Sequence, residues 1–172
     1  IGAQHIKQEG FQHDKSVALE DAFSFFRESK FNSSPYINKR AIVYGGGKLA
    51  LYLSRILKRY GCQVSVYYPG DKKMMPAYDY ETEDALAEGV DVELLKRISS
   101  INDKIVTLAK MKVEKGKAFG TNEFETVAAD ILILANKQEA DSGFLRSVED
   151  ILLDEDGTVK VDANRMTGNE GI

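Results

Sequence analysis

Three consecutive glycines in the first third of the chain constrain its fold most strongly. They follow a short apolar run, residues 41–44, in which Ile42, Val43 and Tyr44 are β-branched or aromatic, as is typical of a buried strand. After the glycines, apolar side chains recur at helical spacing until Gly61 ends the run, and they are Leu49, Leu53, Ile56, Leu57 and Tyr60. A second strand is predicted at Gln63–Tyr68. The stretch therefore predicts a strand, a tight turn, a helix and a parallel strand, which together form one βαβ unit.

The glycine spacing also predicts a ligand. Gly45, Gly47 and Ala50 fit the G-x-G-x-x-G/A fingerprint of dinucleotide-binding folds. Gly45 permits the sharp turn, Gly47 lets a pyrophosphate approach the backbone, and Ala50 lets the helix pack closely on the strand. The phosphates would then lie on free amides at the helix N-terminus. The alternative is a tight turn that needs glycine and binds no ligand.

The rest of the chain predicts an open α/β fold. A helix is predicted at residues 17–31, with Phe23 in its apolar face, and a break follows at residues 32–35. Further elements are a helix at residues 80–88, a short strand at 90–94, meander strands at 105–113 and 118–127, a central strand at 130–135, a short helix or irregular segment at 144–153, and a last strand at 158–162. In the first meander strand, Ile105, Thr107, Ala109, Met111 and Val113 are predicted to share one face.

This order predicts an α/β, Rossmann-like three-layer domain. Its central parallel sheet would carry the antiparallel β-meander on one face and helices on the other. Residues 1–37 would form an amino-terminal segment and a helix packed on the domain, and residues 38–172 would form the domain itself.

Composition and charge exclude several classes of function. The net charge of -4 leaves no basic excess for a general nucleic-acid surface. No apolar run reaches membrane-spanning length and no signal peptide is evident, so a cytoplasmic location is expected and no membrane partner is predicted. The single cysteine, Cys62, excludes an intrachain disulfide or a C-x-x-C pair, and the two histidines lie outside any cluster that would hold a metal.

The order of the pieces resembles the pyridine-nucleotide domain of the glutamate synthase small-subunit family, within the two-dinucleotide-domain flavoproteins. The likeness covers nearly the whole chain and includes the glycine turn, the Met75-Pro76 loop, Glu88-Gly89-Val90 and Ala129-Asp130. In that family the domain is inserted into a flavin domain. The resemblance therefore implies that the chain is an excised domain fragment, which lacks the flavin-binding glycine motif and would be inactive alone.

The resemblance implies an oxidoreductase as the parent protein. NAD(P)H bound at the glycine turn would face FAD held by the flavin domain of the same parent chain, with iron–sulfur or other oxidoreductase subunits as possible further partners. No catalytic side chain is required, because hydride transfer belongs to the cofactors. The predicted cofactor-binding residues are Gly45, Gly46, Gly47, Lys48 and Leu49 at the pyrophosphate, Tyr67, Tyr68, Lys72 and Lys73 at the adenosine ribose, and Ala135 and Asn136 at the nicotinamide.

Three departures from the family pattern fall at this site. Pro69-Gly70 stands where two arginines of a Tyr-Arg-Arg step clamp the 2′-phosphate of NADPH, although Lys72 and Lys73 are nearby and Asp71 is the nearest acidic residue. Lys48-Leu49 replaces Asn or Asp followed by Thr, and Ala135-Asn136-Lys137 replaces Ala-Ile-Gly. The choice between NAD and NADP therefore stays open.

Two other functions remain as alternatives. The first is a degenerate nucleotide domain with a structural or docking role in a larger oxidoreductase. The second, an NAD-dependent dehydrogenase acting on a small molecule, is less favoured, because no His or Lys stands out as an acid–base partner.

Overall fold

The computed structural model of the chain describes residues 3–6, 10–28, 35–136, 138–140, 142–155 and 157–169. The helices and strands are β1 (Ala3–Ile6), β2 (Gln12–His13), β3 (Ala18–Asp21), α1 (Ala22–Glu28), β4 (Arg40–Tyr44), α2 (Lys48–Arg59), β5 (Gln63–Tyr68), α3 (Asp79–Ala87), β6 (Asp91–Leu94), β7 (Lys96–Asn102), β8 (Ile105–Glu114), β9 (Lys117–Ala128), β10 (Ile131–Leu134), β11 (Gln138–Ala140) and a 3-10 helix (Gly143–Ser147). Two compact units result, one formed by Ile1–Gln8 with Lys137–Ile172 and the other by Glu9–Asn136.

A parallel sheet is the centre of the larger unit. Its strand order is β3-β10-β4-β5-β6, and every neighbouring pair is parallel. All of β10 is buried, as are residues 41–44 of β4, as expected for central strands that are covered on both faces. Helix α2 packs on β4 and β5 and contacts both α1 and α3. The two predicted βαβ steps are therefore confirmed.

A second sheet packs against the first through contacts between β7 and β5. Strands β7, β8 and β9 form an antiparallel meander, and β2 pairs in parallel with the outer side of β7. The predicted fold class, an α/β Rossmann-like domain with a parallel sheet and an antiparallel meander, is confirmed. Strand β7 was not predicted from the sequence.

The predicted face of the first meander strand was wrong over its first half. Ile105 is 40% exposed, whereas Val106 and Leu108 are fully buried. The pairing of β8 with β9 shifts register between Ala109 and Met111, and Met111 is again buried. A β-bulge moves the buried positions from even to odd residues, and a strict period of two cannot reveal such a shift.

The predicted helix at residues 17–31 was wrong at its start. Ala18–Asp21 forms β3, which pairs in parallel with β10, and the helix begins only at Ala22. The Asp21 carboxylate accepts a hydrogen bond from the Ser24 amide at 3.0 Å, which caps the new helix start. Phe25 is fully buried. Residues 32–34 of the predicted break and the side chain of Phe23 lie outside the described residues, whereas Pro35 of that break is described.

The smaller unit contains strands β1 and β11, which pair in antiparallel fashion, and the 3-10 helix, which overlaps the segment at 144–153 predicted to be helical or irregular. The last strand predicted at residues 158–162 was wrong, because among the described residues of this segment only an isolated bridge between Val159 and Leu153 forms. The units divide the chain at different positions from the sequence boundary at residues 37 and 38. The predicted insertion into a flavin domain stays a prediction.

Carboxylates join neighbouring segments at the amino-terminal edge of the parallel sheet and at the end of β7. Arg40 donates from Nε and one terminal nitrogen to the two Asp130 oxygens, each at 3.1 Å, and this pairing lowers the pKa of Asp130. Asp14 accepts from the Ser16 hydroxyl at 2.6 Å and from the Asp103 amide at 2.7 Å. These bonds, led by that of Ser16, lower the pKa of Asp14 to about 2.

Candidate functional site

The glycine turn lies at the carboxyl edge of the parallel sheet, where β4 and β10 end side by side. The Gly45 amide donates to the carbonyl of Tyr67 at 3.0 Å, and the Ala135 amide donates to the carbonyl of Tyr44 at 2.8 Å. Gly45 has a φ of 153°, and a Cβ at this position would overlap the Ala135 carbonyl oxygen. The first glycine is therefore required by the neighbouring strand itself, whether or not a ligand binds.

Gly46 faces a protein side chain. A Cβ on Gly46 would lie 2.6 Å from Cδ2 of Tyr68, and one on Gly70 would lie 2.8 Å from Cε1 of the same ring. The Tyr68 ring therefore fits between two glycines. Its hydroxyl donates to the Met74 carbonyl at 2.7 Å, which fixes the ring in this position. Burial, and then the charge of Asp71, raise the pKa of Tyr68.

Gly47 faces open space. A Cβ built on it meets no atom within 4 Å, and its φ of -94° and ψ of 173° are extended. Gly47 is the N-cap of α2 and offers no side-chain cap to the helix. Among the described residues, none accepts a hydrogen bond from the amides of Lys48, Leu49 or Ala50. This helix end thus combines unpaired donors with an open approach, which is the arrangement that binds anions.

The charge at the start of α2 is unusual for a helix N-terminus. The first turn holds no acidic residue, and Lys48 occupies the first helical position. Lys48 is largely exposed, with its Nζ 3.9 Å from Oε1 of Glu81. Glu81 is only 8% exposed, and its other oxygen accepts from the Tyr78 amide at 3.0 Å. The sequence analysis missed Glu81, although its place three residues after the N-cap of α3 is a recognised signal for a helix start.

The loop between β5 and α3 borders the glycine turn. The Ala77 amide donates to the Gly46 carbonyl at 3.0 Å, which places the end of this loop beside the turn. Lys72 forms an ion pair with Asp79 at 3.1 Å across the loop, and both side chains are exposed. Lys73 is also exposed, and no described residue pairs with it. The structure therefore brings Tyr68 against the glycine turn and leaves Lys73 in solvent.

The side chain of Tyr67 is not brought to the turn. It is 3% exposed and lies on the opposite side of β5 from Tyr68, because successive residues of a strand point to opposite faces. Burial, followed by the charge of Glu93, raises its pKa to about 12, and its hydroxyl interacts with Ser65. The prediction that Tyr67 borders the ribose has no support from this geometry, whereas its carbonyl does accept from Gly45.

The residues predicted at the nicotinamide side lie at the end of β10. Ala135 is buried beside Gly45, and Asn136 is half-buried directly after it. Lys137, which differs from the family pattern, lies outside the described residues. The glycine turn and the end of β10 thus meet at the sheet edge where ligands bind in open α/β folds.

Comparison with known proteins decides the family. The sequence profile described as "Pyridine nucleotide-disulphide oxidoreductase" matches residues 3–172. The chain belongs to this family. The predicted membership in the FAD/NAD(P) oxidoreductases is therefore confirmed, and the narrower likeness to the glutamate synthase small subunit stays a prediction.

Curated relatives agree with the family but are much longer than this chain. YgfK of Escherichia coli (strain K12), which its name describes as an oxidoreductase, is 30% identical over 152 residues, which are 83% of this chain and 15% of that protein. The dihydrolipoyl dehydrogenase of Thermus scotoductus (strain ATCC 700910 / SA-01) is 30% identical over 142 residues, 79% of this chain and 30% of that protein. The chain thus spans less than a third of either relative.

Solved structures of oxidoreductases share the fold. Lactococcus lactis thioredoxin reductase in its FR conformation matches 99% of this chain and 53% of its own, with a TM-score of 0.74 and 18% identity. Thioredoxin reductase of T. acidophilum matches 96% of this chain and 51% of its own, with a TM-score of 0.75 and 14% identity. At these identities the likeness concerns the fold alone.

Two absences hold for the part of the chain that the structure describes. None of its helices has the length and apolarity needed to span a membrane. No group of three or more His, Cys, Asp or Glu side chains there has the arrangement of a metal site. The cytoplasmic location expected from the sequence stays a prediction.

Proposed function

We propose that this chain is the nicotinamide-nucleotide-binding domain of a flavin-dependent oxidoreductase. Its role would be to present NAD(P)H to FAD held by the flavin domain of the same parent chain. Family membership supports this proposal, as does the position of the glycine turn at the carboxyl edge of the sheet. We extend the proposal to a parent similar to the glutamate synthase small subunit, with iron–sulfur or other oxidoreductase subunits as further partners.

The open face of Gly47 is the observation that carries the proposal. A tight turn alone explains Gly45 and Gly46, because the protein itself fills the space next to each of them. Gly47 has no such neighbour and no positive φ, so the fold places no demand for glycine there. A pyrophosphate bound to the adjacent unpaired amides of Lys48 and Leu49 would explain the glycine, because a side chain at residue 47 would block its approach to the backbone.

The chain's own contribution would be binding and orientation. The amides of Lys48 and Leu49 would hold the pyrophosphate, and the Lys48 ammonium would add a positive charge at the same helix end. Ala135 and Asn136 would border the nicotinamide. When bound, the nicotinamide nucleotide supplies the hydride chemistry, so no side-chain acid or base is required.

A substitution at Gly47 tests this function. The extended backbone and open space at Gly47 accommodate valine, so Gly47→Val should keep the fold. Its side chain would displace the pyrophosphate from the amides. We expect NADH affinity to fall roughly a hundredfold, because two hydrogen bonds to a charged group would be lost. Isothermal calorimetry measures the affinity. The matched control is Gly120→Val, at a glycine of β9 that is also open, and it should leave affinity unchanged.

A structural or docking role is the second candidate. The Tyr68 ring over Gly46 and the Lys72–Asp79 ion pair favour it, because both fill the loop with contacts between protein groups. Millimolar or absent binding of both NADH and NADPH to the wild-type chain would support this candidate and refute nucleotide presentation. Equal affinities of the wild-type chain and Gly47→Val would refute the assignment of the pyrophosphate site.

A further inference from the structure

The loop between β5 and α3 occupies the place where dinucleotide folds recognise the adenosine ribose. In these folds, an acidic side chain near the end of the second strand accepts a hydrogen bond from the ribose 2′-hydroxyl, or an arginine accommodates a 2′-phosphate. Here the second strand is β5, and residues 69–78 follow it. The chemistry of this loop therefore bears on which dinucleotide the chain binds.

No guanidinium group is available from the loop. Its sequence holds no arginine, and the nearest ones along the chain are Arg59 and Arg97. Arg59 pairs with Glu88, which lies at the other end of α3. Gly70 has no space for a side chain, because a Cβ there would lie 2.8 Å from the Tyr68 ring and 2.9 Å from Cβ of Met74. An arginine at this position is thus incompatible with the packing of Tyr68.

The hydrogen-bonding groups of the loop suit a hydroxyl better than a phosphate. The Lys72 ammonium is already paired with Asp79 at 3.1 Å. Lys73 is a single exposed point charge without the bidentate geometry that arginine gives a phosphate. Asp71 accepts from the Met74 amide through Oδ1 at 3.0 Å, and no described residue donates to its Oδ2. The loop therefore offers one available carboxylate oxygen for a hydroxyl donor, and it offers a phosphate only lysine point charges without a bidentate donor.

Resting on the proposed function, we propose that this site selects the dinucleotide without a 2′-phosphate, NAD(H), over NADP(H). Asp71 is the residue that accepts the ribose 2′-hydroxyl. A 2′-phosphate would instead lie beside the Asp71 carboxylate, where Lys72 is already paired with Asp79 and no guanidinium is available to bind the phosphate in bidentate fashion. The intact glycine turn serves both dinucleotides equally, so the discrimination comes from this loop alone.

Parallel calorimetric titrations of the 172-residue chain with NADH and NADPH test the selection. We expect NADH to bind about tenfold more tightly, the effect of one charge-assisted hydrogen bond. Equal affinities, or tighter binding of NADPH, would overturn the selection and leave the proposed function intact. Absence of binding for both nucleotides would overturn the proposed function, and the selection with it.

Variants of two loop residues test the assignment of the site. Asp71→Asn keeps an acceptor for the Met74 amide but removes the charge, so we expect NADH to bind severalfold more weakly and NADPH no more weakly than before. Pro69→Arg places a guanidinium directly after β5 and should raise NADPH affinity about tenfold. Its matched control, Pro69→Gln, adds a side chain of similar reach without charge and should change neither affinity.

Circular dichroism establishes that each variant is folded before its affinities are compared. An unchanged affinity for NADH in folded Asp71→Asn would overturn the role of Asp71. An unchanged affinity for NADPH in folded Pro69→Arg would overturn the placement of the ribose at this loop.

Discussion

The three consecutive glycines should respond very differently to the same substitution. Gly45→Ala would place a Cβ against the Ala135 carbonyl oxygen at a φ of 153°, which alanine rarely adopts. Backbone strain of this kind costs about 1–3 kcal/mol. The overlap costs roughly a further 1–3 kcal/mol, because the Ala135 carbonyl belongs to a buried segment that cannot move freely. We therefore expect the free energy of unfolding to fall by roughly 2–6 kcal/mol.

Gly46→Ala should have an intermediate effect. Its φ is not positive, so only the approach to the Tyr68 ring at 2.6 Å opposes the new methyl group. The ring cannot swing away easily, because Gly70 lies on its other side and its hydroxyl is bonded to Met74. Overpacking of this kind costs about 1–3 kcal/mol.

Gly47→Ala should leave the stability close to that of the wild-type chain. Its Cβ meets no atom within 4 Å and its backbone is extended, so the folded state is not strained. Alanine also reduces the conformational freedom of the unfolded chain, which stabilises by about 0.4–1 kcal/mol. Alanine is a poorer N-cap residue than glycine, however, and this loss of roughly the same size opposes the gain.

Urea denaturation followed by circular dichroism measures all three variants against the wild-type chain. The expected order of stability is Gly47→Ala highest, Gly46→Ala intermediate and Gly45→Ala lowest. Three equal losses would refute this reasoning, since they would mean that glycine flexibility alone decides stability at the turn. A large loss for Gly47→Ala would show that its open face is filled by protein, which would also refute the pyrophosphate site.

Three further predictions follow from other contacts. Tyr68→Phe removes the hydrogen bond to the Met74 carbonyl and should lower the free energy of unfolding by about 0.5–1.5 kcal/mol in urea denaturation; no change would mean that the ring alone holds the loop. The pKa of Asp14 is lowered to about 2 in the folded state, so its stabilising effect is present above the unfolded pKa of about 4 and is lost as the pH falls from there towards 2. Urea midpoints between pH 2 and 5 should therefore fall less steeply for Asp14→Asn than for the wild-type chain, and identical slopes would contradict this linkage. Burial raises the pKa of Cys62 to about 11, so a thiol reagent at pH 8 should label it far more slowly in the native chain than in denaturant, which mass spectrometry would measure; equal rates would contradict its burial.

The sequence was most informative where periodicity and turn chemistry agree. The buried run at residues 41–44, the helix after it and the strand Gln63–Tyr68 all form as predicted, because each has a local signal that its packing reinforces. The same holds for the apolar strand β10 at the centre of the sheet. The order of these elements along the sequence also indicated a FAD/NAD(P) oxidoreductase, and the family match confirms that prediction.

Strand pairing was not visible in the sequence. Residues 18–21 carry a helical pattern but form β3, because β10 offers them an edge for parallel pairing. The bulge after Ala109 exchanges the two faces of β8, and it depends on the alignment of that strand with β9. In both cases a partner distant in the sequence outweighs the local preference.

The candidate site shows the same division. The sequence by itself determined that three glycines follow β4 and that no arginine follows β5. Only the tertiary structure decided that Gly45 and Gly46 are required by Ala135 and Tyr68, and that the Tyr67 side chain points away. A glycine looks the same in the sequence whether a protein atom or a ligand needs its space. The neighbours that distinguish the two cases come from strands far apart along the chain.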